Sequence, residues 1–289
     1  MIRFVASAPH CDGTAHAPSS DCTYRVAWSI NPHMIPGSVN SSRAVAQHRA
    51  LLSAVRALGA TVDIVPFVHG AFDSVFAKDN AVYAHHGTST HALLGRARHP
   101  ERRVEQTVRE ADLRSAGITV DTCPTELEGG DVIVVEGRCA VLGHGFRSSR
   151  DSATQLGEFL GLPVVSLELT DPGLYHLDTA LTILADGTAL VCDDAFTPAS
   201  RRALRLLGLG DVLSVSHAEA MRFALNMVEV DDAILTGTDS PEVTHLLEAR
   251  GRRVFYTPLD EFHRAGGSAA CLLARIHAPA ASASASVAA

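Results

Sequence analysis

A pattern of strand, tight turn, strand, helix and strand recurs along this chain, and no other feature narrows its fold so far. After Asp131, the apolar runs Val132–Val135 and Cys139–Leu142 flank Glu136-Gly137, a dipeptide suited to a hairpin turn. Leu156, Phe159 and Leu160 follow at helical spacing over about 150–160, Gly161 stops that helix, and 163–169 reads as a buried strand. The order repeats in Leu181–Leu184, Asp186-Gly187, Ala189–Cys192, a helix over 198–207 and Val212–Val215. It repeats again around Ala233–Leu235, a helix over 240–250 and Val254–Tyr256. Upstream, Ala81–Tyr83, Ala92–Leu94, a helix near 102–115 and Ile118–Val120 make another unit. Thr23–Trp28, a helix from about Ser41 to Leu58 closed by Gly59, and Val62–Val65 make a fifth.

Five ββαβ units predict an α/β chain closed into a ring, one domain over residues 1–277. Asp79, Glu128, His176, Asn226 and Cys271 occupy corresponding points of the units, 49, 48, 50 and 45 residues apart. Residues at equivalent points of a pseudo-fivefold repeat converge on its axis. Two acids, a histidine, an amide and a thiol meeting there form a catalytic inventory. An open doubly wound sheet also alternates strands and helices. However, no G-x-G-x-x-G follows a predicted strand here, and a hairpin inside each unit disfavours an all-parallel sheet.

Composition removes several function classes. A formal charge of −8 and a pI near 6.0 argue against nucleic-acid binding, which needs clustered cations. No run approaches the roughly 20 apolar residues of a membrane span, and the N-terminal apolar run is too short for a signal peptide. The six cysteines are scattered without metal-ligand spacing, which predicts free thiols in a reducing, cytoplasmic setting and no metal, while chemistry run by a thiol, a histidine and acids requires no cofactor. Lys78 is the only lysine, so arginine carries almost all the positive charge. The Ala/Ser-rich tail over 278–289 is expected to be disordered.

Four local motifs stand in order: Phe72-Asp73-Ser74-Val75-Phe76-Ala77-Lys78-Asp79-Asn80, Glu128-Gly129-Gly130-Asp131, His176-Leu177-Asp178-Thr179 and Gly266-Gly267-Ser268-Ala269-Ala270-Cys271. Together, from about residue 31 to 276, they resemble the guanidino-group-modifying enzymes: dimethylarginine dimethylaminohydrolases, arginine deiminases and amidinotransferases. The resemblance implies the pentein fold, a five-bladed α/β propeller with pseudo-fivefold symmetry, and a hydrolase with an arginine-like small-molecule substrate.

The residue types suit that chemistry. A guanidinium carbon is a poor electrophile, because its charge is spread over three nitrogens. Fixed carboxylates can hold the planar cation through bidentate bonds, and a thiolate is the nucleophile able to attack it. One histidine can protonate the leaving amine and later deprotonate water. By resemblance, Cys271 attacks and forms a thiouronium, His176 is the acid and base, and Glu128 steadies it and holds a guanidinium nitrogen. Asp79 and Asp178 grip the other N–H groups, Asp73 meets the α-amino group and Phe76 lies beside it. Arg147, within a loose match to Gly-x-Ser-x-Arg-Thr at 143–148, looks like a carboxylate ligand, with Arg102 as a second contact.

Each residue also has a plainer reading. A cysteine in an apolar strand, as Ala-Ala-Cys-Leu-Leu reads, is commonly an inert buried thiol, and Cys123, Cys139 and Cys192 keep that reading. The His85-His86 pair and His263 read as structural, Asp131 as structural beside its Gly-Gly turn, and Asn226 as orienting backbone. Arg102 could equally be a solvated arginine at a helix start. Residues 31–37, with two prolines and a glycine, could form a loop over the site.

The short chain favours a dimethylarginine dimethylaminohydrolase over a deiminase, whereas Asp178 in place of the familiar lysine of His-Leu-Lys points toward deiminases and amidinotransferases; bacterial relatives of the dimethylarginine enzymes also carry this Asp, which keeps the dimethylarginine reading first. A non-catalytic relative such as the ribosome anti-association factor of the same architecture has no reason to keep all these groups. The sequence leaves a homodimer open.

Overall fold

The computed structural model describes residues 1–11 and 20–278; the tail expected to be disordered lies, from residue 279 on, outside the described residues. The chain folds as mixed α/β. Near the N-terminus, β1 (Arg3–Ser7) leads through α1 (Ser41–Ala57) to β2 (Thr61–Val65). Next come β3 (Ala81–His86), β4 (Ser89–Leu94), α2 (Pro100–Ser115) and β5 (Thr119–Thr122). A third set follows: β6 (Val132–Val135), β7 (Cys139–His144), α3 (Ser152–Leu160) and β8 (Val164–Glu168). The fourth holds β9 (Leu181–Ile183), β10 (Ala189–Val191), α4 (Pro198–Leu206) and β11 (Val212–Ser214). The last holds β12 (Met227–Val230), β13 (Ala233–Thr236), α5 (Pro241–Glu248) and β14 (Arg253–Tyr256), before β15 (Ala274–His277) closes the series.

In each of the last four sets the first two strands pair antiparallel and the third joins the second in parallel. The reason is geometric: an antiparallel link needs only a tight turn, while a parallel link needs a crossover, which the helix supplies. The β6–β7 register, Val132↔Leu142 and Val135↔Cys139, encloses Gly137 at φ 68°, as Glu136-Gly137 predicted. The first set is assembled from both chain ends, with β15 antiparallel to β1 and β1 parallel to β2. Strand β15 also pairs in parallel with β3, which merges two sets into a six-stranded sheet ordered β2-β1-β15-β3-β4-β5. The other three sets are separate three-stranded sheets.

One expected strand is corrected. Residues 23–28 form no strand, and only Thr23 makes a bridge, to His10. Their alternating burial comes from side-chain packing: Tyr24 stacks on Phe262 with centroids 4.8 Å apart, and Arg25 lies 4.2 Å over the Phe72 ring. The sheet positions belong instead to β1 and β15, strands of five and four residues that the reading passed over.

The helices start and stop where local chemistry directs. Asn40, Thr197 and Ser240 cap α1, α4 and α5 by accepting backbone N–H bonds, and Pro100, Pro198 and Pro241 sit at first-turn positions. Leu51, Leu52 and Val55 bury one face of α1, and Leu156, Phe159 and Leu160 one face of α3. Helix α2 inverts this rule. It buries Arg102, Glu105 and Arg109 together with Leu113, while Val104 and Val108 face outward. Arg109 is fully buried and donates to the Pro66 carbonyl at 2.6 Å, Ser7 Oγ at 2.8 Å and Asn80 Oδ1 at 3.0 Å. A buried guanidinium is tolerable when its donors are filled in this way. Cys123, Cys139 and Cys192 are buried and free, as read. No helix among the described residues is long and apolar enough to cross a membrane.

Candidate functional site

Each of the five repeat-spaced residues lies in the turn that leads into the first strand of a set. Asp79 sits in the turn Ala77–Asn80 before β3, and Glu128 just before the turn Gly129–Asp131 that opens β6. His176 precedes the helical turn Leu177–Ala180 before β9, Asn226 directly precedes β12, and Cys271 lies in the turn Ala269–Leu272 before β15. Side chains from strand-opening turns meet in one place, and the hydrogen bonds among them run across 45 to 51 residues of sequence.

Glu128 is the hub of one half of the site. It is fully buried, and its Oε2 accepts from Arg147 Nη1 at 3.1 Å and lies 3.0 Å from His176 Nε2. Its Oε1 accepts the Arg98 backbone N–H at 3.2 Å. Arg147 also donates to the Ile30 carbonyl at 3.0 Å and lies 4.6 Å over the Tyr175 ring. Asp79 Oδ2 accepts from Arg102 Nη1 at 2.6 Å, while its Oδ1 accepts from Gly130 N at 3.1 Å and lies 3.7 Å from His176 Nδ1. Arg102 is therefore no solvated helix-start arginine; Glu105 holds its other side at 2.9 and 3.0 Å. Gly130 permits this convergence, because a Cβ there would lie 2.7 Å from both Asp79 Oδ1 and His176 Nδ1.

Burial by itself would lower the His176 pKa. The charge of Asp79, the hydrogen bond to Glu128 and the nearby charge of Asp131 overcome it and raise the imidazole to about 9. Burial would raise Glu128, but the Arg147 guanidinium, then His176 and Arg102, hold it well below the usual carboxylate range. At neutral pH this half holds an imidazolium against a carboxylate. Asp131 supports it structurally, accepting the backbone N–H groups of Ser148 and Leu177 at 3.0 Å each, and burial raises its pKa to about 6.

The other half surrounds Cys271. Asn226 Nδ2 donates to Sγ at 3.2 Å and to the Asp178 carbonyl at 3.2 Å, and Asn226 Oδ1 accepts the Cys271 N–H at 3.3 Å. Asn226 thus orients backbone, as read, and touches the thiol as well. Both Asp178 carboxylate oxygens lie 3.9 Å from Sγ, and Lys78 Nζ donates to Asp178 Oδ2 at 2.7 Å. Burial, then Asp178 and Asp79, push the Cys271 thiol well above its ordinary value.

A pocket with about 250 Å³ of empty space opens onto these groups. Asp73, Phe76, Asp79, Arg102, Arg147 and Cys271 line it, while Glu128, His176 and Asp178 stand behind, bonded to residues of the site. Asp73 Oδ2 accepts from Trp28 Nε1 at 2.6 Å, whereas its Oδ1 is buried without a hydrogen-bond partner. Burial raises the Asp73 pKa to about 6. Residues 31–37 do border the pocket, through Asn31 and Met34. Asn31 donates to the Ala265 carbonyl at 3.0 Å, and His33 Nε2 lies 2.9 Å from the Gly173 carbonyl. Gly266, at φ 87°, faces Tyr175 and Asn31 so closely that a Cβ would lie 2.6 Å from Tyr175 Oη. Trp28 and Tyr175 escaped the sequence reading, although Tyr175 directly precedes His176.

Asp79, Glu128 and His176 also bring ligand atoms within 4.8 Å of one another, a spacing that could hold a metal ion. Both carboxylates already bond guanidinium groups, so an ion there would face two arginine cations. Away from the site, His263 bonds Ser268 Oγ at 3.1 Å, and His86 stacks on His91 with centroids 4.5 Å apart, in keeping with structural roles.

Residues 30–278 match the family described as N,N dimethylarginine dimethylhydrolase, eukaryotic. The chain is 33% identical over 264 residues to N(G),N(G)-dimethylarginine dimethylaminohydrolase of Mycobacterium tuberculosis, covering 91% of this chain and 85% of that one. It is 35% identical over 264 residues to the bifunctional arginine dihydrolase/ornithine cyclodeaminase ArgZ of Synechocystis, covering 89% of this chain but only 37% of that longer protein. Among solved structures, the N-terminal domain of ArgZ, a cysteine-to-serine mutant bound to substrate, superposes with a TM-score of 0.87 at 31% identity. That match covers 97% of this chain and 100% of the domain. A dimethylarginine dimethylaminohydrolase adduct with 4-chloro-2-hydroxymethylpyridine has a TM-score of 0.72 at 19% identity, which shows a shared fold; it covers 96% of this chain and 100% of that one.

Proposed function

This chain belongs to the N,N dimethylarginine dimethylhydrolase family, and from that premise we propose that it hydrolyses the guanidino group of methylated arginines to citrulline and a methylamine. One observation carries the reading: a buried thiol, a carboxylate 3.9 Å from it and an imidazolium clamped on a second carboxylate surround a pocket that two arginines also line. The five strand sets are read as blades of a closed α/β propeller over residues 1–277, because β15 and β1 complete the first set from the two chain ends.

The substrate's guanidinium enters between Asp79 and Asp178, which accept its N–H groups, and its charge favours loss of the Cys271 proton to solvent, His176 being already protonated. The thiolate adds to the guanidinium carbon, forming a C–S bond. The C–N bond to the leaving nitrogen breaks as His176 gives that nitrogen a proton, which leaves a thiouronium on Cys271. Nδ1–H is the proton at hand, since Nε2 is held by Glu128 while Nδ1 lies a loose 3.7 Å from Asp79. A water then returns a proton to His176 as its oxygen attacks the same carbon. The C–S bond breaks and citrulline is released. At the far end of the substrate, Arg147 and Arg102 receive the α-carboxylate, and the open Asp73 Oδ1 the α-ammonium, with Phe76 packing beside it.

A second reading takes arginine itself as substrate, with ammonia leaving. Asp178 favours it: Lys78 occupies Oδ2, while the hydrogen-bond partner of Oδ1 is the thiol at 3.9 Å, so it has room for an N–H that a methylated nitrogen lacks. An unmet buried acceptor costs about 1–3 kcal/mol. The test is citrulline and amine release from arginine, monomethylarginine and asymmetric dimethylarginine, with Cys271→Ser as control. Citrulline from the methylated substrates supports the proposal, citrulline from arginine alone selects the second reading, and transfer to added glycine or lysine would make the chain an amidinotransferase.

A further inference from the structure

Lys78 is the only lysine in the chain, yet it is not a surface residue. Its side chain is 18% exposed and lines a second cavity with about 840 Å³ of empty space, which shares no lining residue with the substrate pocket. Asp178 also lines that cavity. The ammonium ends 2.7 Å from Asp178 Oδ2, and Asp178 in turn stands 3.9 Å from the nucleophile through both oxygens. Arg102, Arg147 and the His176 imidazolium are the other cations of this site, and none is as compact as an ammonium, which can cap one carboxylate oxygen and leave the other open.

We propose that Lys78 is a positioning residue of the reaction: by capping Asp178 it lets Cys271 ionise beside a carboxylate and keeps Asp178 Oδ1 free for a substrate N–H. The groups facing the thiol are Asp178 and Lys78 on its flank, Asp79 and Tyr175 nearby, and Arg102 and Arg147 along the same pocket. Two of these, Asp178 and Asp79, oppose a thiolate, and Lys78 is the cation bonded directly to the nearer one. Burial would lower the ammonium's own pKa, but the charge of Asp178 and its hydrogen bond raise it, which favours the charged form of Lys78. The importance of the thiolate rests on the hydrolytic reading above, whereas the electrostatic effect is measurable with no substrate present.

The test is the rate of Cys271 alkylation by iodoacetamide against pH in substrate-free enzyme, with Cys271→Ser as the blank for the partly exposed Cys11 and Cys22. In Lys78→Met the midpoint should rise by about 1–3 pH units, and Lys78→Arg should restore most of it. Coincident profiles for wild type and a natively folded Lys78→Met would overturn the proposal. Should Lys78→Met not fold, wild type labelled with [15N]lysine gives a single side-chain signal. Its titration should show a step at the Cys271 midpoint that Cys271→Ser lacks, and no such step would equally overturn it. Because neither readout needs turnover, an enzyme inactive on every arginine derivative would refute the proposed function without touching this result.

Discussion

The two halves of the site balance charge in opposite ways. Around Glu128, carboxylates and cations are already matched: Arg147 and His176 share one oxygen of Glu128, and Arg102 takes an oxygen of Asp79. Around Cys271 the matching is incomplete, with the thiol beside Asp178, an amide donor from Asn226 and one ammonium behind. The matched half resembles a structural ion-pair network, rigid before substrate arrives. A site that binds a guanidinium must keep carboxylate oxygens open, and here these are Asp178 Oδ1, met by the thiol at 3.9 Å, and Asp73 Oδ1, which has no hydrogen-bond partner.

The sharpest way to break this division is to remove the thiol. Cys271→Ser should lower turnover by on the order of 10⁴-fold or more while the melting temperature stays near wild type, measured by citrulline release and thermal denaturation. Next in size is His176→Gln, which removes the proposed proton donor and should lower kcat by about 10²–10⁴-fold. In wild type the limb of the kcat profile that needs imidazolium should fall as pH rises through about 9. Because the folded pKa exceeds the ordinary 6.5, His176 stabilises the fold fully below about 6.5 and progressively less up to about 9. That contribution is on the order of 3 kcal/mol. Urea unfolding at pH 6 and pH 9.5 should therefore show a smaller loss with pH in His176→Gln than in wild type.

The matched half is expected to fail differently. Arg147→Ala removes one of the two cations bonded to the buried Glu128 carboxylate, leaving His176, and should cost about 3–5 kcal/mol of stability, read by urea unfolding, in addition to raising KM. A stability change under 1 kcal/mol would mean that Glu128 is neutralised some other way. The smallest effect belongs to Asp73→Asn. It should raise KM about tenfold for substrates with a free α-amino group, leaving kcat and stability near wild type, since a buried carboxylate with an unpartnered oxygen contributes little to folding.

Much of this was legible in the amino-acid order. Hairpin dipeptides such as Glu136-Gly137, helix stops such as Gly161 and apolar spacing such as Leu156-Phe159-Leu160 act over a few residues, and each lies where local rules put it. The near-constant interval from Asp79 to Cys271 likewise reflects one repeated local unit, so residue types and their convergence followed from the sequence by itself. Helix α2 marks the limit: local pattern would turn Val104 and Val108 inward, yet Arg102, Glu105 and Arg109 face the interior. Their partners Asp79, Asn80 and Ser7 lie 23, 29 and 102 positions away. Only the tertiary structure decided which cation meets which carboxylate, whether Lys78 with Asp178 or Arg147 with Glu128, and that the first strand set draws on both chain ends. Coulomb attraction and hydrogen bonding depend on distance in space, and for these pairs the folded chain alone sets that distance.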